Sequence, residues 1–268
     1  MTSGPVMGDC RLCPAVGVPL MDSHIIPKWA YRRARDPSRA NGAPDPVQIE
    51  EGAAIQTSTQ IKEYMLCNDC EQRMGRDEDY VSRLAYQEDG TLGLTQNLPK
   101  GSMFRAGGPY ARGVSLSHLD CSAIARFAAS VFWRAHVAEK QKISSLKLWK
   151  PQVEALRRYV LRERPLPYQM CLTVFALVDG EELTSVHSGT LTTPATAKRG
   201  DNSLHQFVVA GLLFNLTTGT QSTPRLCLAC GPSPHATIQH WKAVGFVRAF
   251  SDAIQSAERK GRLAKLSV

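Results

Sequence analysis

Two C-x-x-C pairs, Cys10/Cys13 and Cys67/Cys70, bracket the run Ser23-His24-Ile25-Ile26-Pro27. Two residues between thiolates let both sulfurs of a pair reach one ion from a tight turn, and two such pairs complete a tetrahedral site, so the spacing assigns these four cysteines a structural Zn²⁺. His24 brings an imidazole that changes charge near neutral pH, the side chain best suited to take a proton from water. A lone histidine reads first as a structural one, bonded to the zinc loop or joined to a buried network; the cysteine frame around it is what favours a site role. Glu71, directly after the second pair, serves either as a hard ligand for a divalent ion or as a carboxylate favoured by the dipole of a helix N-terminus. Lys28, Arg32, Arg33 and Lys62 are candidate phosphate contacts, with Trp29 and Tyr31 either stacking on bases or filling the core. A second cluster, Cys227-x2-Cys230-x4-His235-x4-His240, has zinc-knuckle spacing, yet Leu226 to Cys230 also reads as a buried strand in which cysteine acts as a small hydrophobe.

These groups need elements to hold them. The order is a cysteine knuckle, a short strand carrying His24, and Pro27 opening the segment Lys28 to Arg33. Residues 36–58, rich in Pro, Gly, Ala and Asp, read as an irregular loop or hairpin. Ile61 to Leu66 leads into the second knuckle, and helix-compatible spacing from Asp69 to about Leu84 places Glu71 and Glu78 on one face. Beyond a Gly-rich interval at 89–114, Ser117 is the expected cap of a helix from about His118 to Glu139, with Ile124, Phe127, Ala128, Val131, Phe132 and Ala135 at the helical period. Cys121 on that helix, Cys171 in a later strand, and Trp133 with Arg134 are expected in the packing. A second helix is expected at about 151–163, strands at 168–178, 205–216 and 224–230, and a last helix near 246–260. The fold class is therefore α+β: a zinc-stabilised ββα-like module over residues 1–90, then a helix-plus-antiparallel-sheet domain over residues 91–268.

Composition sets bounds on this. The 268 residues are 43% hydrophobic and 21% charged, as in ordinary globular proteins. There is no apolar run of membrane-spanning length and no basic-then-apolar leader, and eight cysteines are sparse for a disulfide framework; the expected location is the cytoplasm. The net charge of +8 is uneven: residues 1–90 carry 10 Lys+Arg against 14 Asp+Glu, and residues 91–268 carry the remaining 22 against 10. The second half is the better candidate for nucleic-acid contact, although solvated helix surfaces explain the same balance.

From Cys10 to Glu71 the chain resembles the HNH endonuclease superfamily, whose ββα-metal core is often propped by a four-cysteine zinc knuckle and whose His-Ile-x-Pro element holds the catalytic histidine. It looks closest to an uncharacterised bacterial group of HNH-like proteins sharing Ser-His-Ile-Ile-Pro-Lys plus an aromatic (here Ser23 to Trp29), Leu-Cys-x-x-Cys-Glu (Leu66 to Glu71) and Arg-Phe-Ala-x-Ser-x-x-Trp-Arg (Arg126 to Arg134). The resemblance implies phosphodiester hydrolysis of DNA, or RNA, with His24 as base and Ser23 and Glu71, or the neighbours Asp22 and Glu78, holding Mg²⁺ or Mn²⁺. It departs from the superfamily at three places: Ser23 stands where His or Asp precedes the base, Lys62 where Asn is common, and Glu71 where His is common. Two alternatives stand beside it. One is a non-catalytic zinc module that binds nucleic acid or a protein partner. The other is an effector or toxin subunit of a bacterial defence or mobile-element system, silent until a partner or ligand assembles it; a protein partner or a homo-oligomer is expected in either case.

Overall fold

A computed structural model describes residues 4–34, 47–50, 53–56, 59–87, 91–96, 103–105, 111–116, 118–140, 143–178, 191–219, 228, 235–240, 252 and 255–260. The fold is α+β, with helices packed on largely antiparallel sheets. The first sheet joins β1 (Met7–Gly8), β2 (Val18–His24) and β5 (Lys62–Cys67). β2 and β5 run antiparallel, with Ser23 opposite Glu63 and His24 opposite Lys62 past an irregularity at Met21/Asp22. Between them lie α1 (Lys28–Arg33), entered through Pro27, and the hairpin β3 (Val47–Glu50) and β4 (Ala53–Gln56), one of the two readings, irregular loop or hairpin, of the 36–58 stretch. β5 leads directly into α2 (Asn68–Leu84).

The short α3 (Gly93–Gln96) follows, packed so closely that a Cβ on Gly93 would lie 1.7 Å from the Arg83 carbonyl oxygen. A seven-stranded sheet then collects β6 (Met103–Arg105), β7 (Ala111–Ser115), β8 (Met170–Val178), β9 (Ala195–Arg199), β10 (Asn202–Val209), β11 (Leu212–Thr218) and β12 (His235–His240). Its order is β6-β7-β12-β8-β11-β10-β9, with β12 parallel to β8 and its other pairs antiparallel.

Between the sheets lie α4 (Cys121–Val137) and α5 (Lys150–Val160). Helix α4 is buried almost all round, every member of its expected apolar set included, as a helix covered on several sides must be. Phe127 links its two sides: its ring lies 6.4 Å from Trp29 of α1 and 5.2 Å from Phe214 of β11, while Phe132 meets Phe207 edge-on at 5.1 Å. One continuous apolar core runs from Cys10 and Leu12 through Ile25, Ile26, Val81 and Phe127 to Leu216 and Leu228.

Three expectations are corrected, and a fourth, the strand at 224–230, lies almost wholly outside the described residues. Helix α4 begins at Cys121, capped by Asp120, whose carboxylate accepts from the Ala123 N–H at 2.8 Å, rather than near His118 under Ser117; Ser117 itself lies outside the described residues. The run 205–216 is not one strand but the β10–β11 hairpin, turning at Ala210 (φ 42°) and Gly211 (φ 80°), two positive φ values as a tight twisted hairpin demands. Of the 224–230 run only Leu228 is described, and it sits in a turn; its N–H donates to Leu172. The end of the expected 246–260 helix is instead β13 (Glu258–Lys260), paired parallel to β4.

His205 of β10 is completely buried, flanked by Thr196 Oγ1 at 2.8 Å and Thr218 Oγ1 at 3.2 Å. Burial, assisted by nearby Lys198, brings its pKa down from 6.5 to about 4. The unfolded chain therefore binds this proton first as pH falls, and the fold loses stability from about pH 6.5 down to about pH 4. The slope is up to about 1.4 kcal/mol per pH unit. Urea unfolding of the wild type and of His205→Gln across this window should show a steeper acid loss in the wild type; parallel curves would contradict it.

Candidate functional site

The knuckle is built from a turn and a helix start. Cys10 and Cys13 lie in a loop closed by Cys10 N–H donating to the Ala15 carbonyl at 2.9 Å and Arg11 N–H donating to Met65 at 2.9 Å. Gly17 turns the chain back into β2 with φ 61°, its N–H held by Asp9 Oδ1 at 3.0 Å. Cys67 ends β5 and Cys70 lies in the first turn of α2, so the strand-to-helix junction itself presents the second pair. The four sulfurs all lie within 4.8 Å of one another, and Cys13 and Cys67 are 3.7 Å apart. A tetrahedron with Zn–S bonds of about 2.3 Å separates its sulfurs by about 3.8 Å. The four cysteines are thus positioned to bind a metal ion, in a geometry compatible with structural zinc.

The local electrostatics favour a thiolate at one corner. Burial opposes charge on Cys10, but N–H groups from Cys13, Cys67 and Leu12 directed at its sulfur outweigh it and bring its pKa to about 7. Burial and the neighbouring sulfurs push Cys70 upward; a cation among the thiolates removes that penalty.

Next to the knuckle, the resemblance motifs meet in space. Ser23, fully buried, donates its hydroxyl to Glu71 Oε2 at 2.6 Å, joining β2 to the first turn of α2. His24 Nε2 lies 2.6 Å from Gln60 Oε1. Arg134 of α4, only 1% exposed, donates Nη1 to the His24 carbonyl at 2.6 Å and Nη2 to Glu78 Oε1 at 2.5 Å. Burial raises the Glu78 pKa against the opposing pull of Arg134; Glu71 raises it further and His24 lowers it, so this carboxylate feels both neighbours. Arg126 forks onto Asp77, the residue before Glu78 on α2, at 2.9 and 2.8 Å.

The remaining predicted residues are distributed as follows. Lys62 pairs with Asp22 on the exposed face that His24 shares. Arg33 is turned inward, donating to the Ser82 carbonyl at 2.6 Å and lying 5.0 Å over the Trp29 ring, whereas Lys28 and Arg32 are exposed. Trp29 and Tyr31 are buried, and the Tyr31 hydroxyl accepts the Ile61 N–H at 3.1 Å. Cys227 and Cys230 lie outside the described residues, and His235 and His240 begin and end β12. Among the described residues, the four cysteines alone form a group of three or more potential ligands close enough to share an ion. Sequence reasoning missed Gln60. It stands two residues before Lys62, the register partner of His24, and so comes alongside the imidazole once the strand pairing is known.

Comparison with known proteins returned no matching family model, no matching curated protein and no matching solved structure. No helix among the described residues is long and apolar enough to cross a membrane.

Metal analysis of the purified chain should give one zinc per molecule. Cys67→Ser should lose it and lower the melting temperature by about 10 °C or more, because binding energy at such a site is folding energy. A metal-free chain with an unchanged melting curve would refute the zinc site.

Proposed function

We propose that this chain is a metal-dependent nuclease of HNH type, acting on DNA in preference to RNA. The observation that carries the reading is the convergence on His24. A knuckle-anchored hairpin ends at this histidine, Gln60 meets its ring, Arg134 holds its backbone, and Ser23 fixes Glu71 on the adjoining helix.

Each residue has a chemical part. In the tautomer that carries its proton on Nε2, His24 donates to the Gln60 amide oxygen, and Nδ1 is then the basic nitrogen that takes the proton from an attacking water. Ser23 occupies Glu71 Oε2 and leaves Oε1 without a partner among the described residues. A divalent ion held there by few protein ligands, as Mg²⁺ tolerates, would supply charge stabilisation to the phosphate. Lys28 and Arg32, exposed on α1, can meet the backbone of a bound strand.

A second reading has its own support. Asp22 and Glu78, the other carboxylates near His24, are engaged by Lys62 and Arg134, which suits a zinc module that binds nucleic acid or a protein partner without cutting.

Plasmid and oligonucleotide substrates with Mg²⁺ or Mn²⁺ separate the two. The nuclease reading expects cleavage that falls by about 10²-fold or more in His24→Ala, and a marked fall in Glu71→Gln and Gln60→Ala. Cleavage that survives His24→Ala overturns it. Salt-sensitive binding with no turnover in either ion supports the second reading.

A further inference from the structure

We infer that the groove at the amino-terminal end of α5 is a stacking platform for single-stranded nucleic acid. The inference rests on the nucleic-acid reading above but not on cleavage. The groove, about 180 Å³, is lined by Pro151, Gln152, Pro167, Gln169 and Met170, with Thr218 and Gly219 of the sheet behind them. Trp149 enters the chain two residues before Pro151, and Tyr168 lies between Pro167 and Gln169. These are the two most exposed aromatic side chains among the described residues, at 73% and 71%. Trp149 is not held out by its own chemistry: its backbone N–H donates to Gln152 Oε1 at 2.9 Å and leaves the indole uninvolved in that contact.

Charge selects the occupant. Residues 140–169 hold 8 Lys+Arg against 2 Asp+Glu. One of the two acids, Glu154, is already taken by Arg157 and Arg158. Lys147, Lys150 and Arg164 are exposed and form no ion pair among the described residues. Exposed aromatic faces set among free cations are what a flexible polyanion carrying planar bases requires. An acidic peptide would use the cations and leave the rings idle; a proline-rich peptide would do the reverse. Duplex bases already spend their faces on one another, so a single strand is the form that fits.

The platform is rigidly joined to the zinc module. Arg157 Nη1 donates to the Leu12 carbonyl in the knuckle loop at 2.9 Å, and Arg73 of α2 donates to Leu161 at 3.2 Å. The helix spans about 16 Å at 1.5 Å per residue, so a strand stacked at its start can extend along it towards that module.

The test uses the full zinc-loaded chain, no added Mg²⁺ or Mn²⁺, and a short fluorescein-labelled oligothymidylate followed by anisotropy. Binding should quench tryptophan fluorescence and weaken as salt rises. Trp149→Ala and Tyr168→Ala should each weaken it by about 5- to 100-fold, and Trp149→Phe should restore most of the loss. Both alanine variants should melt like the wild type, since the side chains are exposed. Unchanged affinity in both, or tighter binding of an oligoglutamate, an oligoproline or a duplex of equal length, overturns the platform. Failure here leaves the His24 cleavage test standing, and loss of cleavage leaves this test standing.

Discussion

The guanidinium of Arg134 is a charge at 1% exposure, and such a charge is tolerated only where its partners are fixed. Its partners come from three segments: the carbonyl of His24 at the end of β2, the carboxylate of Glu78 on α2, and the hydroxyl of Ser130 one turn back on α4. Withdrawing any of them leaves a buried cation undercompensated, so the ends of β2, α2 and α4 are set relative to one another. Helix α4 is itself held against the large sheet by Phe127 and Phe132. The position of His24 is therefore determined by packing more than a hundred residues away. Arg134 Nε and Trp29 Nε1 remain buried without a partner among the described residues, each a cost of about 1–3 kcal/mol. That cost is concentrated on the two residues, Trp29 and Arg134, that close motifs singled out in the sequence.

The four-cysteine knuckle constrains the same place from the other side. Because Cys67 ends the strand that pairs with β2 and Cys70 lies in the first turn of α2, fixing the sulfurs fixes the angle between hairpin and helix. Ser23 and Glu71 then meet across that angle at 2.6 Å. Opposite Ser23 on β5, Glu63, 3% exposed, accepts from Arg11 of the knuckle loop and from the N–H groups of Glu139 and Lys140. Burial opposes its charge, yet those donors hold its pKa below the ordinary value. The knuckle loop, β5 and the residues after α4 are thereby tied into one unit.

The cysteine frame, α2, α4 and α5 were legible in the sequence because their signals are local: ligand spacing in one case, apolar periodicity in the others. What was not legible depends on pairing. The β10–β11 turn carries Ala210 where Asn or Gly usually marks a positive φ, so Gly211 alone stood as a local sign of a turn within the run from His205 to Leu216. Asp120 competes with Ser117 as a cap, and residue type does not choose between two good acceptors three apart. Gln60 and Arg134 reach His24 from 36 and 110 residues away, through strand register and helix packing. The catalytic candidates were visible, and the groups that orient them were not.

The uneven charge of the two halves takes on a different meaning in three dimensions. Within the acidic residues 1–90, three of the fourteen carboxylates are met by guanidinium groups, two of them from the basic half: Asp77 by Arg126 and Glu78 by Arg134, with Glu63 met by Arg11 of the knuckle loop. Those arginines are spent in doing so, and free cationic surface among the described residues is left along 140–169, beside the exposed rings of Trp149 and Tyr168. Around His24 the same pairing is selective. Lys62 covers Asp22 and Arg134 covers Glu78, while Glu71 meets only a serine hydroxyl. Of these three carboxylates it is the one that faces no cation among the described residues, so the charge left uncompensated beside the histidine lies on the helix that the knuckle itself starts.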